Sequence, residues 1–521
     1  MLARVRSAAV LGIDAYLVEV ETDIAAGLPS FSTVGLPQGA VKEGRERVCA
    51  AIANSDYAFP LKKITVNLAP ADVRKDGSAF DLPIALGILA ATGQLNGGAA
   101  GRSVSPGVPS LSDYVIVGEL GLEGDVRPVR GALPIALAAK EAGLKGAIVP
   151  MANLQEAGVV SGIEVLGAST LGEVAAFFAA AKALPQARVD PRTFFGKPVR
   201  DDVDFSEVRG QEHVKRALEI AAAGGHNLLM IGPPGSGKTM LARRLPTILP
   251  EMSLAEALET TKIHSVAGIL PPGTSLVTVR PFRSPHHTIS DAGLIGGGSF
   301  PRPGEVSLAH GGVLFLDELP EFRRNVLEVL RQPLEDGFVT ISRASSSLCY
   351  PARFMLAAAM NPCPCGWWGD PVHGCTCTPV EVEQYRSRVS GPLLDRIDIH
   401  IEVPAVPYRE LSVERSGEPS EAIRERVNRA RGIQLERFAG RPGVFANAHM
   451  TPRDLRRYCR VSDSAEALLR TAIQRLGLSA RAYHRVLKIA RTIADLAECG
   501  FIEPVHVSEA VQYRSLDRAV R

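Results

Sequence analysis

Apolar and polar positions alternate in short runs through the first part of the chain and take up helical spacing in its last part. Ile64-Thr65-Val66-Asn67-Leu68 and Tyr114-Val115-Ile116-Val117 read as strands. Phe80 to Thr92 and Ala132 to Ala142 read as helices, the second closed by Gly143 at its C-terminal cap. Met1 to Val20 carries Asp14 and Glu19 inside its apolar run and no small-residue cleavage site, so it predicts a strand and not a signal peptide. Gly93 to Ser112 is rich in Gly, Ser and Pro and predicts a loop. Pro185 to Asp204 has three prolines and mixed charge and predicts a linker. Beyond it, Asn227 to Ile231 (apolar from Leu228 on), Val313 to Leu316 and Phe354 to Met360 are apolar runs, the signature of strands buried on both faces. From about residue 420 the chain turns helical, with Ala465–Leu476 and Ala480–Cys499 the clearest stretches. The expected fold class is α/β: a first domain at 1–180, a linker at 181–204, a core with a parallel sheet at 205–404, and a helical lid at 405–521.

The second domain opens on chemistry. Gly232-Pro233-Pro234-Gly235-Ser236-Gly237-Lys238-Thr239 is G-x-x-x-x-G-K-[ST], with a strand before it and the helix of Met240 to Leu245 after it. In that setting backbone N–H groups of the loop wrap phosphates. Lys238 would reach the β- and γ-phosphates and Thr239 would hold Mg²⁺. Val313 to Leu316 ends in Asp317-Glu318, one carboxylate for the metal and one to polarise water. Taken alone, such a pair is equally a charge pair at a helix N-terminus. Asn361 ends the next apolar strand, where it orients the lytic water or simply closes a turn. Arg396 lies between Asp395 and Asp398, so it is either locally paired or a finger reaching a neighbouring subunit's γ-phosphate.

Composition narrows the partners. The 521 residues carry 58 basic and 56 acidic side chains, a net charge of +2, so no global basic field exists and nucleic-acid binding requires a local patch. No run approaches the length of a membrane span, and a cytoplasmic location is expected. Eight cysteines in this length are no disulfide scaffold, and four of them form Cys363-x-Cys365 and Cys375-x-Cys377. Four thiolates make the closed tetrahedral set of structural Zn²⁺, and Gly366, Gly369, Pro371 and Gly374 let the segment fold back. C-x-C is tighter than the usual spacing, so a redox thiol cluster or an iron–sulfur site stays open, as does His373 in place of one cysteine.

The ordered set of phosphate loop, Asp317-Glu318, Asn361 and Arg396 resembles the AAA+ ATPases. That resemblance implies a sensor role for Arg481 in Ser479-Ala480-Arg481, and an adenine frame from Asp204-Phe205, Val208 and Gly210-Gln211. A finger in trans implies a ring, in this superfamily usually a homo-hexamer. Pro281-Phe-Arg-Ser-Pro-His-His287, Gly304-Glu-Val-Ser-Leu-Ala-His-Gly-Gly312, Met360-Asn-Pro-Cys-Pro-Cys-Gly366 and Gln512-Tyr-Arg-Ser-Leu-Asp517 are similar to the magnesium-chelatase-like family, more narrowly its YifB/ComM branch. The interval from Lys238 to Asp317 leaves room for an insert at about 280–303, glycine-rich at Gly293 and Gly296 to Gly298. Val339 to Cys349 alternates about a turn at Ala344–Ser347 and predicts a hairpin. Both resemble elements that helicase-type rings project into a central channel, and Arg343 at the tip is a candidate phosphate contact or a plain exposed residue.

Asn67 to Gly77 and Gly131 to Pro150 resemble the proteolytic domain of Lon. The likeness ends where the chemistry would sit. Ser78 comes early, and Gly131-Ala132-Leu133-Pro134 offers no lysine as base, so no peptidase activity is expected. The resemblances together imply an ATP- and Mg²⁺-dependent motor on single-stranded or branched DNA, a helicase or branch-migration factor with recombination proteins as partners. The competing reading is a protein or metal-cofactor remodeller of the chelatase type, against which stand the front domain and the cysteine cluster.

Overall fold

The computed structural model describes residues 1–73, 75, 77–95, 109–195, 203–298, 301–343, 346–406, 417–441, 444–476 and 479–514. They form two compact units: Met1–Gly196 with Leu254–Val277, and Lys197–Ser253 with Thr278–Arg521.

In the first unit, strands β1 (Leu2–Leu11), β2 (Asp14–Ala25) and β4 (Lys63–Ala69) run antiparallel, and β3 (Ser30–Val34) closes the sheet parallel to β4. The register sets Val5 opposite Val20 and Val20 opposite Leu68, all fully buried on one face. A slip of one residue would turn this apolar set to solvent, so the alternation itself fixes the pairing. Helix α1 (Gly39–Asn54) packs against helix α2 (Asp81–Ala91), which covers the sheet; α2 is buried at every position, as its all-round apolar sequence requires. Leu82, Ile84, Leu86, Ile88 and Leu89 contribute about 1.5–3 kcal/mol each through burial, outweighing the ~1 kcal/mol cost of Gly87 in mid-helix. A Cβ on Gly87 would stand 2.5 Å from Thr22 Oγ1, so the glycine is what lets helix and sheet approach. A second, parallel sheet holds β5 (Tyr114–Ile116), β6 (Gly146–Pro150) and β7 (Glu164–Ala168), with helices α3 (Ala132–Glu141) and α4 (Leu171–Phe178).

Two sequence expectations change here. The start of the expected linker is not free: Gly167 N donates to Pro185 O at 2.8 Å and Ala187 N to Val165 O at 2.9 Å, so 185–187 pairs along β7. The expected 205–404 block is also interrupted, because Leu254–Val277 packs into the first unit. The cause is polar. Glu156, buried, accepts from Leu133 N at 3.0 Å, from Asn153 Nδ2 at 3.0 Å and from the Ser265 hydroxyl, while Lys262 pairs with Asp14. Without Ser265 one of those acceptor positions on a buried carboxylate would stand empty.

The second unit is a five-stranded parallel sheet flanked by helices. Its elements in chain order are α5 (Glu212–Gly224), β8 (Leu228–Ile231), α6 (Lys238–Ile248), β9 (Phe282–Arg283), β10 (Val313–Leu316), β11 (Phe338–Arg343), β12 (Ser346–Pro351), β13 (Met355–Met360), α7 (Pro379–Ser387), β14 (Ile399–Glu402), α8 (Ser420–Arg437), α9 (Asp463–Leu476), α10 (Ala480–Leu496) and α11 (Pro504–Gln512). The strand order is β9-β10-β13-β8-β14. Ala357, Ala358 and Ala359 sit fully buried at its centre, small enough for close cover on both faces. The expected insert at 280–303 therefore begins with a core strand, since Phe282 and Arg283 pair with Val313 and Leu314. Its glycine-rich part forms a separate two-stranded ladder, Gly296–Gly297 with Arg302–Pro303. β11 and β12 form the expected hairpin. Its tip residues Ala344 and Ser345, and the Arg343 side chain, lie outside the described residues, as do Ser515 to Asp517 of the last family motif.

Candidate nucleotide and metal sites

Parallel pairing brings the chemistry to one edge. Ile231 stands beside Met360, and Leu316 beside Ala358, so Gly232, Asn361 and Asp317 all leave the sheet at the carboxyl ends of adjacent strands. That edge, over a crossover helix, is where open α/β sheets bind ligands.

Lys238 opens α6 and is only 9% exposed. Its Nζ donates to Gly232 O at 2.8 Å and Pro233 O at 2.9 Å, and lies 3.3 Å from Asn361 Oδ1. Burial lowers its pKa, with Asp317 pulling the other way. The ammonium is thus covered by dipoles that do not cancel its charge, a position an anionic phosphate oxygen suits better. Gly235 and Gly237 adopt left-handed φ values of 76° and 88°, and open space surrounds the Cβ position of Gly235. The loop backbone is accordingly free to face a ligand. Thr239 Oγ1 donates to Asp317 Oδ2 at 2.6 Å, which sets a hydroxyl and a carboxylate side by side, the hard oxygen donors Mg²⁺ takes.

Glu318 has a left-handed φ of 52°, unusual outside glycine, and its N–H donates to Asp317 Oδ1 at 3.0 Å. The side chain is 60% exposed, with Oε2 3.5 Å from His287 Nδ1. His287 stacks on His286 at 4.1 Å and meets Phe322 edge-on at 6.3 Å. In the sequence, nothing but membership of a motif marks His287. Its nearness to Glu318 depends on the path of the chain after β9, which no local pattern encodes. The backbone N–H of Asn361 donates to the Tyr385 hydroxyl, whose pKa burial pushes up to about 12.

Gln211 also joins the loop. From a left-handed φ of 54° its Nε2 donates to Ser236 O at 3.0 Å and to Pro404 O at 2.7 Å. Its Oε1 is buried with no partner among the described residues, an acceptor an amino group would satisfy. Val208, three residues earlier in the chain, is fully buried. These residues fit an adenine nucleotide with its Mg²⁺.

Among the described residues, neither arginine is hydrogen-bonded to this cluster. Arg396 is 8% exposed, with its guanidinium on Glu335 and the Pro392 carbonyl, so within this chain it is paired, but with a carboxylate 61 residues away and not the flanking Asp395 or Asp398 of the expected local pair. Arg481 is exposed in the first turn of α10, capped by Ser479, whose hydroxyl accepts from Ala482 N at 3.2 Å. One turn on, Arg485 pairs with Asp398, which also accepts from His226 Nδ1 at 3.2 Å. Arg485 and the hydrogen bond from His226 hold the Asp398 carboxyl well below the usual range despite its burial.

The four cysteines converge. Cys363, Cys365, Cys375 and Cys377 have all their Sγ atoms within 4.8 Å of one another. Sγ separations of 3.3 Å (363–365), 3.7 Å (363–375) and 3.5 Å (365–375) approach the roughly 3.8 Å edge of a tetrahedron with Zn–S bonds of about 2.3 Å. Backbone N–H groups of Trp367 and Thr376 pull the Cys365 thiol down to about 5, toward the thiolate a metal takes. His373 is engaged elsewhere: it stacks on Trp367 at 4.1 Å and contacts Asp370 at 3.3 Å. In the first unit, the Ser78 hydroxyl donates to Glu119.

Comparison with known proteins agrees with this geometry. The family profile described as magnesium chelatase, subunit ChlI, matches residues 204–411, and that of the subunit ChlI C-terminal region matches 417–514. A third, described as subunit ChlI of Mg-chelatase, matches 20–153. The front domain thus does not by itself set this chain apart from chelatases, contrary to the expectation above. Competence protein ComM of Haemophilus influenzae is 45% identical, covering 100% of this chain and 99% of its own. Protein YifB of Escherichia coli is 44% identical over 99% and 98%. The magnesium-chelatase 38 kDa subunit of Rhodobacter capsulatus is 27% identical over 34% of this chain and 55% of its own. Among the described residues no helix is long and apolar enough to cross a membrane.

Proposed function

Because the chain belongs to the ComM/YifB family of magnesium-chelatase-like proteins, we propose that it is an ATP-driven ring motor acting on DNA, a helicase or branch-migration factor. The observation that carries the ATPase reading is the convergence of Lys238, Asn361, Thr239, Asp317 and Glu318 on one sheet edge. Lys238 and the loop amides of 232–239 bind the phosphates. Thr239 and Asp317 hold Mg²⁺, which when bound neutralises charge on the β- and γ-phosphates. Glu318 polarises the attacking water, and Asn361 orients it. Gln211 and Val208 frame the base. Arg481 contacts phosphate from the lid, and Arg396 completes the site of the next subunit after leaving Glu335, which makes a homo-hexameric ring part of the proposal.

DNA is the favoured substrate because the full-length relative named a competence protein matches along the whole chain, whereas the chelatase subunit matches over a third of it. The hairpin β11–β12 and the Gly296–Pro303 ladder would reach backbone phosphates. The cysteine cluster holds one structural Zn²⁺. No peptidase activity is proposed. The deciding measurement is the ATP hydrolysis rate with forked DNA, a porphyrin or casein, each alone. Stimulation by DNA only supports the motor; stimulation by porphyrin or protein and not by DNA replaces it with a remodeller.

A further inference from the structure

The metal cluster and the phosphate loop touch. Gly366 directly follows Cys365, is buried, and has a left-handed φ of 89°. A Cβ placed on it would stand 2.5 Å from Pro234 Cδ and 2.7 Å from Pro234 Cγ. Only a residue without a side chain lets the knuckle backbone lie this close to the pyrrolidine ring. Pro234 is the third residue of the loop whose carbonyls and amides surround Lys238.

The same knuckle is tied to the other side of the site. Asn361, two residues before Cys363, faces Lys238 Nζ at 3.3 Å. Past the last cysteine, α7 returns: Arg386 Nε donates to Pro362 O at 3.1 Å, and the Tyr385 hydroxyl accepts from Asn361 N. Residues 361–378 thus leave the site, pass through four cysteines and return to it. The segment is short on apolar anchors: Trp368 is 39% exposed and Val372 is 82% exposed. A metal held by the four thiolates is the strongest restraint available to fix such a loop.

We propose that the cysteine knuckle is a metal-dependent backstop of the phosphate loop, so that nucleotide affinity depends on Zn²⁺ occupancy through the Gly366–Pro234 contact. The inference rests on the nucleotide and zinc assignments above. With Zn²⁺ bound, Cys363, Cys365, Cys375 and Cys377 fix the turn at Gly366. Gly366 holds Pro234 in place, and the loop amides stay pre-set for phosphate. Without the metal the turn loosens and the loop must be ordered by the nucleotide itself, which lowers affinity.

The chain supplies its own control. Gly369 lies in the same knuckle with a left-handed φ of 81°, yet nothing stands within 4 Å of its Cβ position. Gly366→Ala and Gly369→Ala therefore impose similar backbone strain, but only the first presses on Pro234. The full-length protein and both variants are purified, their zinc content is measured, and ATP binding is followed in the absence of turnover. Gly366→Ala should keep one Zn²⁺ per chain and raise the Kd for ATP about tenfold or more, the effect of overpacking a fitted contact. Gly369→Ala should leave Kd within about twofold. Stripping zinc from the wild type with a chelator should weaken ATP binding, and Zn²⁺ should restore it. Unchanged affinity in Gly366→Ala, equal losses in both glycine variants, or zinc-stripped protein that binds ATP like the wild type would each overturn the backstop. If Gly366→Ala does not fold, the chelation and refilling arm decides. Wild type that binds no ATP while holding zinc would instead refute the nucleotide reading itself.

Discussion

Glu318→Gln separates chemistry from folding, and the structure sets both magnitudes. The carboxylate is 60% exposed, and its neighbour His287 stands 3.5 Å away and is itself 32% exposed. An exposed pair of that kind is worth about 0–1 kcal/mol, which in a chain of this size moves the melting temperature by no more than about 2–4 °C. Gln keeps the length and volume of Glu and leaves the left-handed backbone at 318 as it is. Thr239, Asp317 and Lys238, which carry the proposed phosphate and Mg²⁺ contacts, are untouched. What is lost is the base that polarises water, worth about 10²-fold or more in rate, or at least ~2.7 kcal/mol of barrier. The assay is phosphate release at saturating ATP and Mg²⁺, beside equilibrium ATP binding and a thermal melt. The expected result is a melt and an ATP affinity close to wild type with turnover down at least a hundredfold, on the order set by general-base catalysis. Turnover within about threefold of wild type would refute the role assigned to Glu318, because general-base loss is far larger.

Three further outcomes follow from the proposed assignments. Mixing Arg396→Ala with Lys238→Ala subunits should restore part of the ATPase, since one interface then joins an intact arginine to an intact phosphate loop; mixtures inactive at every ratio, with rings still formed, count against a finger in trans. Cys363→Ser/Cys375→Ser should lose both the zinc found by metal analysis and several degrees of thermal stability, because metal binding energy is folding energy here; metal-free wild type of equal stability contradicts this. DNA affinity should fall steeply with salt, and Arg343→Ala should weaken it equally across sequences while sparing basal ATPase, as a phosphate contact carries no base information; a sequence-selective loss would count against a backbone contact.

The parts of the fold that local sequence encodes were readable. The phosphate loop between β8 and α6, the carboxylates after β10 and the Asn after β13 each follow an apolar run that can only be a buried strand. β9 was not readable, because two residues carry no period, and Phe282–Arg283 became part of an expected insert. The departure of Leu254–Val277 into the first unit was hidden for another reason: it depends on Glu156, Ser265 and Lys262, polar partners far apart in sequence. The pairing of Arg396 with Glu335, 61 residues away, and the approach of Gly366 to Pro234 are likewise tertiary. A motif marks which residues a site needs; which of them already have partners is settled by packing.

The residues that identify the family are also the ones that connect the site to the glycine-rich ladder. Arg283, from the motif ending in His287, makes a two-pronged pair with Glu305 of the next motif, at 2.6 and 2.7 Å. Glu305 follows the ladder strand Arg302–Pro303 by two residues. On its other side the ladder continues from the short helix Asp291–Ile295, whose Asp291 accepts from Asn325 Nδ2 at 2.8 Å on both oxygens. Between Arg283 and Asp291 lies His287, 3.5 Å from Glu318. The ladder is thus held at both ends by charge-assisted or doubled hydrogen bonds, the kind that resist stretching. The 283–291 segment between these anchors carries the His287 imidazole beside the proposed catalytic carboxylate. In the motor proposed above, these contacts would join the ladder to the proposed water-polarising carboxylate.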